Sequence, residues 1–269
     1  MRTIFICSLI FSFQYLIFSQ PNKIEVDTSR SISEKFYVGE DLTYIVKYAF
    51  FNLGEVRIKV LEKTRINNVS VYKTIAFIDS YPDLPFVSLH QIYESYIDSS
   101  LFPVKFFAKI IDDDSVFVNY DFIGNTKIKM QKGKLNNSKL WLDSVANVQM
   151  RFQDGLSILF FARMNFNHDK KISVPCFVNE KKESALLNFS NESVPISIDG
   201  IEYEIDCKYL EGYTDFVSVY GLTGNFEGWF SNDEFSVPIL AKMNVIIGSI
   251  NLELIKWNKK IWNPPLYKN

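Results

Sequence analysis

Apolar and polar residues alternate along most of this chain. From Leu42, every second position is apolar or aromatic: Leu42, Tyr44, Val46, Tyr48 and Phe50. Side chains on a strand point to opposite faces in turn, so this period places all five on one face. Asn52-Leu53-Gly54 interrupts the run and Val56, Ile58 and Val60 resume it, which predicts a hairpin. Further strands are predicted over residues 69–78, 89–97, 104–110, 116–122 and 126–131. Tyr81-Pro82-Asp83-Leu84-Pro85 breaks the rhythm, because proline has no N–H for a ladder. After His168-Asp169-Lys170-Lys171 the alternation returns. It predicts strands over 172–178, 184–189, 194–198, 201–210, 216–220, 226–230, 237–245 and 248–257. Asp199-Gly200 reads as a two-residue hairpin turn.

One stretch departs from period two. From Gln153 or Asp154 to Asn165, Leu156, Leu159, Phe160 and Arg163 fall at helical spacing, and Ile158, Phe161 and Met164 widen the apolar surface. Asp154 suits the N-cap or first turn, where free backbone N–H groups favour a carboxylate. Arg163, in the last turn, either complements the helix C-terminus or pairs with a buried carboxylate or an anionic ligand group. So apolar a helix has to be covered on most sides. The expected fold is mainly β: one strongly curved antiparallel sheet or open half-barrel, with this principal helix (about 153–165) packed in or near the concave face.

The N-terminus follows neither rhythm. Met1-Arg2-Thr3 carries one positive charge, and an uncharged, mostly apolar run extends from Ile4 to Phe18. This is the layout of a secretory signal cleaved after Ser19, leaving Gln20 first. The run is short of the ~20 apolar residues of a membrane span. Cys7 lies too early in it to be a lipoprotein cysteine. The expected organisation is a signal peptide over 1–19, a polar flexible leader over 20–35 and a single β-rich domain over 36–258. A short C-terminal tail over 259–269 follows, with Asn263-Pro264-Pro265 outside regular structure. The product is expected to be exported to the periplasm or cell envelope, with no transmembrane segment after cleavage.

Composition supports a large core. Hydrophobic residues make up 47% of the chain, and its 24 Phe and 14 Tyr suit pleated, half-buried surfaces. A net charge of -2 argues against a nucleic-acid binder, which shows a basic patch or stripe. Lys181-Lys182 and Lys259-Lys260 read as solvated turns. Cys176 and Cys207 lie in apolar, strand-like segments, where a disulfide and a pair of buried thiols are both open.

Candidate chemistry is sparse. The only histidines are His90 and His168, and no spacing matches a zinc motif. Asp112-Asp113-Asp114 lacks the glycine and distal glutamate of a calcium loop. There is no Gly-x-Ser-x-Gly elbow and no glycine-rich phosphate loop. Asp233 and Glu234 are neighbours, and on a strand they point to opposite faces. No catalytic, cofactor-binding or metal-binding set emerges. In Tyr93-Glu94-Ser95-Tyr96-Ile97-Asp98, alternation places Tyr93 and Ser95 on one face and Glu94, Tyr96 and Asp98 on the other.

Several segments together resemble a known family. They are Phe36-Tyr37-Val38-Gly39-Glu40-Asp41-Leu42-Thr43-Tyr44 with Gly54; the Tyr93–Asp98 segment followed by Pro103; Gln153-Asp154-Gly155-Leu156-Ser157 with Arg163; and Trp229-Phe230-Ser231-Asn232-Asp233 with Val237-Pro238 and Gly248-Ser249-Ile250. In this order they resemble the bacterial family called domain of unknown function 3108. Relatives often carry two aspartates where this chain has Asn232-Asp233, which weakens any carboxylate pair there. The resemblance implies an exported envelope protein with a strongly curved, open barrel-like sheet. That shape is similar to periplasmic lipoprotein carriers, whose half-barrel holds acyl chains beneath a helix. It implies no enzymatic activity. It singles out Gly39, Glu40, Gly54, Tyr93, Asp98, Pro103, Asp154, Arg163, Trp229, Asp233, Pro238 and Gly248 as motif positions, with scaffolding as their expected role. The leading expectation is a non-catalytic protein that binds an apolar, lipid-like ligand or an envelope protein partner. The alternative is a structural or interaction module whose helix fills the concavity, since native interiors pack densely. An enzyme acting on envelope glycans or lipids is a third reading, with no acid–base or nucleophile set behind it.

Overall fold

Alternating segments joined by short turns fold as antiparallel neighbours, and this chain does so twice. The computed structural model describes residues 36–82, 84, 88–111, 115–136, 139–166, 169–217, 222–245, 248–259 and 262–268. The first meander comprises β1 (Asp41–Tyr48), β2 (Phe51–Ile66), β3 (Val69–Ser80), β4 (His90–Asp98), β5 (Pro103–Ile110), β6 (Val116–Ile123), β7 (Lys127–Lys134) and β8 (Leu140–Asn147). A helix, α1 (Ser157–Arg163), follows. The second meander comprises β9 (Lys170–Val178), β10 (Lys181–Ile196), β11 (Ile205–Thr214), β12 (Leu222–Ser231), β13 (Pro238–Val245) and β14 (Gly248–Asn258). The two join where β14 pairs with β1, giving one 14-stranded sheet in the order β8-β7-β6-β5-β4-β3-β2-β1-β14-β13-β12-β11-β10-β9. The sheet is not closed: β8 and β9 are its two edges. No helix among the described residues is long and apolar enough to cross a membrane.

Strand twist makes so wide a sheet curl, and one face becomes concave. The alternating residues fill it. Leu42 and Tyr44 of β1, Val56, Ile58 and Val60 of β2, and Tyr93 of β4 are all buried. Helix α1 packs among them and touches both meanders. Phe160 stacks on Phe36 at 4.8 Å between ring centroids, and Phe36 stacks on Tyr72 of β3 at 4.9 Å. Just beyond α1, Phe166 meets Phe189 of β10 and Phe230 of β12. On the other side Phe177 of β9 meets Tyr120 of β6 edge-on. The helix therefore sits in the concavity, as the apolar periodicity requires.

Several expectations are corrected. The helix is shorter than 153–165 because Gln153 is taken by the sheet. Its N–H donates to the Pro175 carbonyl and its carbonyl accepts from Phe177, a parallel bridge to β9. Strand β8 was not legible in the alternation; it forms by pairing with β7. The predicted strands 184–189 and 194–198 are one strand, β10, with a register shift between Ser190 and Ser193 against β11. The two-residue turn at Asp199-Gly200 is a longer loop, since Ile196 pairs with Ile205. Phe216 and Val217 lie outside any strand, and 218–220 lie outside the described residues. The C-terminal segment is not a free tail. Asp206 N–H donates to the Pro265 carbonyl and Tyr267 N–H to the Glu204 carbonyl, while Trp262 is buried. Lys259, read as part of a solvated turn, is buried.

Cys176 and Cys207 are free, buried thiols and not a disulfide. Cys176 on β9 stands opposite Glu183, and Cys207 on β11 stands opposite Val194, at far ends of the intervening β10. At about 3.3 Å per residue the two are on the order of 30 Å apart, whereas a bridge needs Cα atoms within about 7 Å. The expected signal and leader (1–35), Asp112-Asp113-Asp114, His168 and Lys260 lie outside the described residues.

Candidate functional site

The motif positions gather into two buried clusters and a set of backbone positions. The first cluster starts from Gly39, whose φ of +96° suits glycine. Gly39 N–H donates to the Val60 carbonyl, and Val60 N–H donates to the Glu40 carbonyl. These two bonds hold the entry to β1 and aim Glu40 inward. There its two carboxylate oxygens accept from Arg163 Nη1 at 2.6 Å and Nη2 at 3.0 Å, and Lys259 Nζ donates to Oε2 at 2.5 Å. All three side chains are about 1% exposed.

Two further donors of Arg163 are also used inside. Its Nε reaches the Ser236 carbonyl at 3.2 Å, and Nη2 reaches the Phe235 carbonyl at 3.3 Å. The 235–236 turn is shaped by Asp233. Its Oδ1 accepts from Ser231 Oγ and from the N–H groups of Phe235 and Ser236, and its Oδ2 accepts from Trp262 Nε1 at 2.7 Å. Tyr44 Oη closes the group on the Pro238 carbonyl at 3.0 Å. Gly39, Glu40, Arg163, Asp233 and Pro238 thus meet in one place although the sequence scatters them. Burial alone would raise the Glu40 carboxyl, but the Arg163 and Lys259 charges outweigh it and hold it below its usual range. Burial pulls Lys259 down, Arg163 beside it adds to this, and Glu40 pulls the other way. The described contacts satisfy this cluster internally, so it reads as a structural bolt joining α1 to the start of β1 and the end of β14.

The second cluster lies across the sheet, at the gap between β8 and β9. Asp154 is fully buried, with Oδ2 accepting from Ser95 Oγ on β4 at 2.6 Å. Its Oδ1 accepts from the N–H groups of Leu156 and Ser157, at 2.8 and 2.6 Å. Gln153 donates from Nε2 to the Leu101 carbonyl at 3.0 Å while its backbone holds β9. Arg151 pairs with Asp98 at 2.5 Å and lies over the Phe102 ring. Asp98 in turn caps the turn into β5 by accepting from Ser100 and Phe102 N–H. Pro103, buried, begins β5, and Tyr93 stacks on Phe106 behind it. Residues 151–154 therefore form a clasp: side chains hold the first meander and backbone holds the second. Beside the clasp is a cleft of about 250 Å³, lined by Val69, Phe122, Ile128, Met150 and Arg151 among others.

Burial raises the Asp154 carboxyl to about 6, against the pull of Ser95 Oγ and the two N–H groups. A carboxyl raised in the fold binds its proton more tightly there than in the unfolded chain. Its contribution to stability is then fullest below about pH 4 and is lost as pH rises through about 6. Asp154→Asn is expected to flatten that fall, which for two pKa units is about 2–3 kcal/mol. Urea denaturation of both proteins between pH 4 and pH 8 measures it; parallel curves would refute it.

The other motif positions lie outside both clusters. Gly54 of β2 sits against the β3 backbone, Gly248 (φ +90°) opens β14 beneath the Tyr48 ring, and Trp229 packs with Tyr209 away from both clusters. Sequence reading missed Lys259 and Arg151, whose partners Glu40 and Asp98 are remote in the chain and leave no local signal. It anticipated that Tyr93 and Ser95 share a face; both are buried. His90 pairs with Asp79 at the exposed end of β4. Among the described residues no group of three or more His, Cys, Asp or Glu side chains is arranged to hold a metal ion.

Comparison with known proteins gives a family and a fold. Residues 43–255 match the family described as "Protein of unknown function (DUF3108)". The crystal structure of a β-barrel-like protein of domain of unknown function DUF1849 from Brucella abortus superposes with a TM-score of 0.53. The alignment covers 84% of this chain and 99% of that one at 8% identity, so the likeness is one of fold. No curated protein matches significantly.

Proposed function

This chain belongs to the DUF3108 family, whose description assigns no activity, and from that premise we propose that it is a non-catalytic interaction module of the cell envelope. Its interior is scaffold and its working surface is the outside of the sheet. The observation that carries this reading is the occupied concavity. Where a half-barrel carrier needs an open apolar groove, this sheet holds α1, the stacked Phe36, Phe160 and Tyr72 rings, and the Glu40–Arg163–Lys259 cluster. A charged cluster with about 1% exposure lines no groove, and opening it to seat an acyl chain would set buried charge against an apolar ligand. The secretory layout of residues 1–19 supports a site of action outside the cytoplasm.

A second reading, a carrier of an apolar or lipid-like ligand, is favoured by the cleft beside Arg151. At about 250 Å³ it falls below the roughly 300–1,000 Å³ of ligand pockets. Native mass spectrometry of protein purified gently from the envelope fraction separates the two. The expected result is a ligand-free mass and no uptake of a fluorescent fatty acid. A stoichiometric co-purifying lipid would overturn the interaction module in favour of the carrier.

A further inference from the structure

The two edges of the open sheet are not alike. Strand β9 is guarded at its C-terminal end: Pro175 has no N–H to offer, and Gln153 occupies the Pro175 carbonyl and the Phe177 N–H. Strand β8 is bare. Val148 N–H donates to the Thr126 carbonyl on β7, and the register runs from there through Ala146 opposite Ile128 and Ser144 opposite Met130. In an antiparallel ladder, hydrogen-bonded and non-hydrogen-bonded pairs alternate. Even-numbered residues of β8 therefore bond into β7, while the N–H and C=O groups of Asp143, Val145 and Asn147 point away. The Asn147 carbonyl confirms the direction, since Lys182 reaches it from β10 at 2.6 Å. Among the described residues, no group outside β7 bonds to the main chain of Asp143 or Val145. The side chains add to the exposure: Trp141 is 48% exposed and Val145 is 50% exposed.

We propose that β8 pairs with β8 of a second copy of this chain, antiparallel, about a two-fold axis at Val145. The inference rests on the interaction-module reading and names its partner. Three observations select a second copy. The strand is self-complementary: Leu142, Ser144 and Ala146 face inward and Trp141, Asp143, Val145 and Asn147 face outward, so its copy continues both faces. The register centred on Val145 sets Val145 against the partner's Val145 and Asp143 against the partner's Asn147. The register centred on Asp143 would oppose two carboxylates, which is unfavourable. Finally, Pro175 and the Gln153 bridge interrupt the β9 edge, so a full-length head-to-tail pairing of β8 with β9 is blocked. Pairing through β8 alone closes as a dimer and does not run on into a fibre.

Two substitutions and a sedimentation measurement test the pairing. Val145 faces its own copy in a hydrogen-bonded pair, where Cα atoms lie about 5.5 Å apart, within reach of a disulfide. Val145→Cys is expected to give an interchain disulfide on a non-reducing gel, with the parent protein run alongside. Asp143→Cys is expected to give none, because its partner position is Asn147. The parent is expected to sediment as a dimer, and Val145→Lys, which sets like charges against each other, as a monomer whose far-UV circular dichroism matches the parent's. A parent that is monomeric throughout the accessible concentration range would overturn the proposal. So would a Val145→Lys protein that dimerises as well as the parent, or equal crosslinking at 143 and 145. A lipid-loaded dimer would overturn the filled-interior reading and leave the pairing standing; a lipid-free monomer would do the reverse.

Discussion

Glu40→Gln is expected to destabilise the fold by about 3–5 kcal/mol, the usual cost of removing one partner from a buried ion pair. The substitution keeps size and shape and removes only the charge. Arg163 and Lys259 would then face each other from a site with about 1% exposure, with the nearest remaining carboxylate, Asp233, already accepting four hydrogen bonds. Neither cation can turn outward without dragging α1 or the end of β14 with it. Guanidinium denaturation measures the loss as a lower midpoint at similar slope. Removing all three charges together, with Glu40→Leu, Arg163→Met and Lys259→Met, is expected to recover most of it. Apolar replacements of buried ion groups are often neutral or better. A near-neutral Glu40→Gln would mean that water reaches the cluster. The same cluster sets an acid limit. The Glu40 carboxyl is held below its ordinary 4.5, so its contribution is complete above that pH and is lost as pH falls through its lower folded value.

Gly54→Ala is expected to be nearly as damaging for a different reason. A Cβ at this position would lie 2.1 Å from the Asp79 carbonyl oxygen and 2.7 Å from Ser80 Cα. Both are main-chain atoms of β3, so no side-chain rotation relieves the contact. Gly54 pairs with Ser80 on one side and Val46 on the other, which makes it an interior residue of three neighbouring strands. Overpacking costs about 1–3 kcal/mol and occasionally more, and a clash with backbone on an inner strand belongs at the upper end. Thermal unfolding monitored by circular dichroism tests this. A change within about 0.5 kcal/mol, typical of an ordinary surface substitution, would show that β2 and β3 do not approach so closely.

Both positions were singled out by the family resemblance, and neither one's role could be read from its neighbours in the chain. What the sequence determined alone is what depends on local period. Alternation at Leu42, Tyr44 and Val46, and again at Val56, Ile58 and Val60, specifies strands and the face they bury, because side-chain direction follows from the backbone of the strand itself. The apolar spacing of Leu156, Leu159 and Phe160 likewise announces a helix that must be covered. The family was legible through a different signal, motif segments that occur in order along the chain, and the open, barrel-like sheet was what that resemblance implied. Only the tertiary structure decided which groups meet. Glu40 finds Arg163 and Lys259 across 123 and 219 residues, and no window of sequence contains that pairing. Gln153 leaves the helix because β9 offers it a carbonyl and an N–H, and β8 becomes a strand because β7 is beside it. Cys176 and Cys207 stay apart because β10 lies between them. Pattern is a property of one segment. Burial of charge, edge status and the distance between two thiols are properties of how segments assemble.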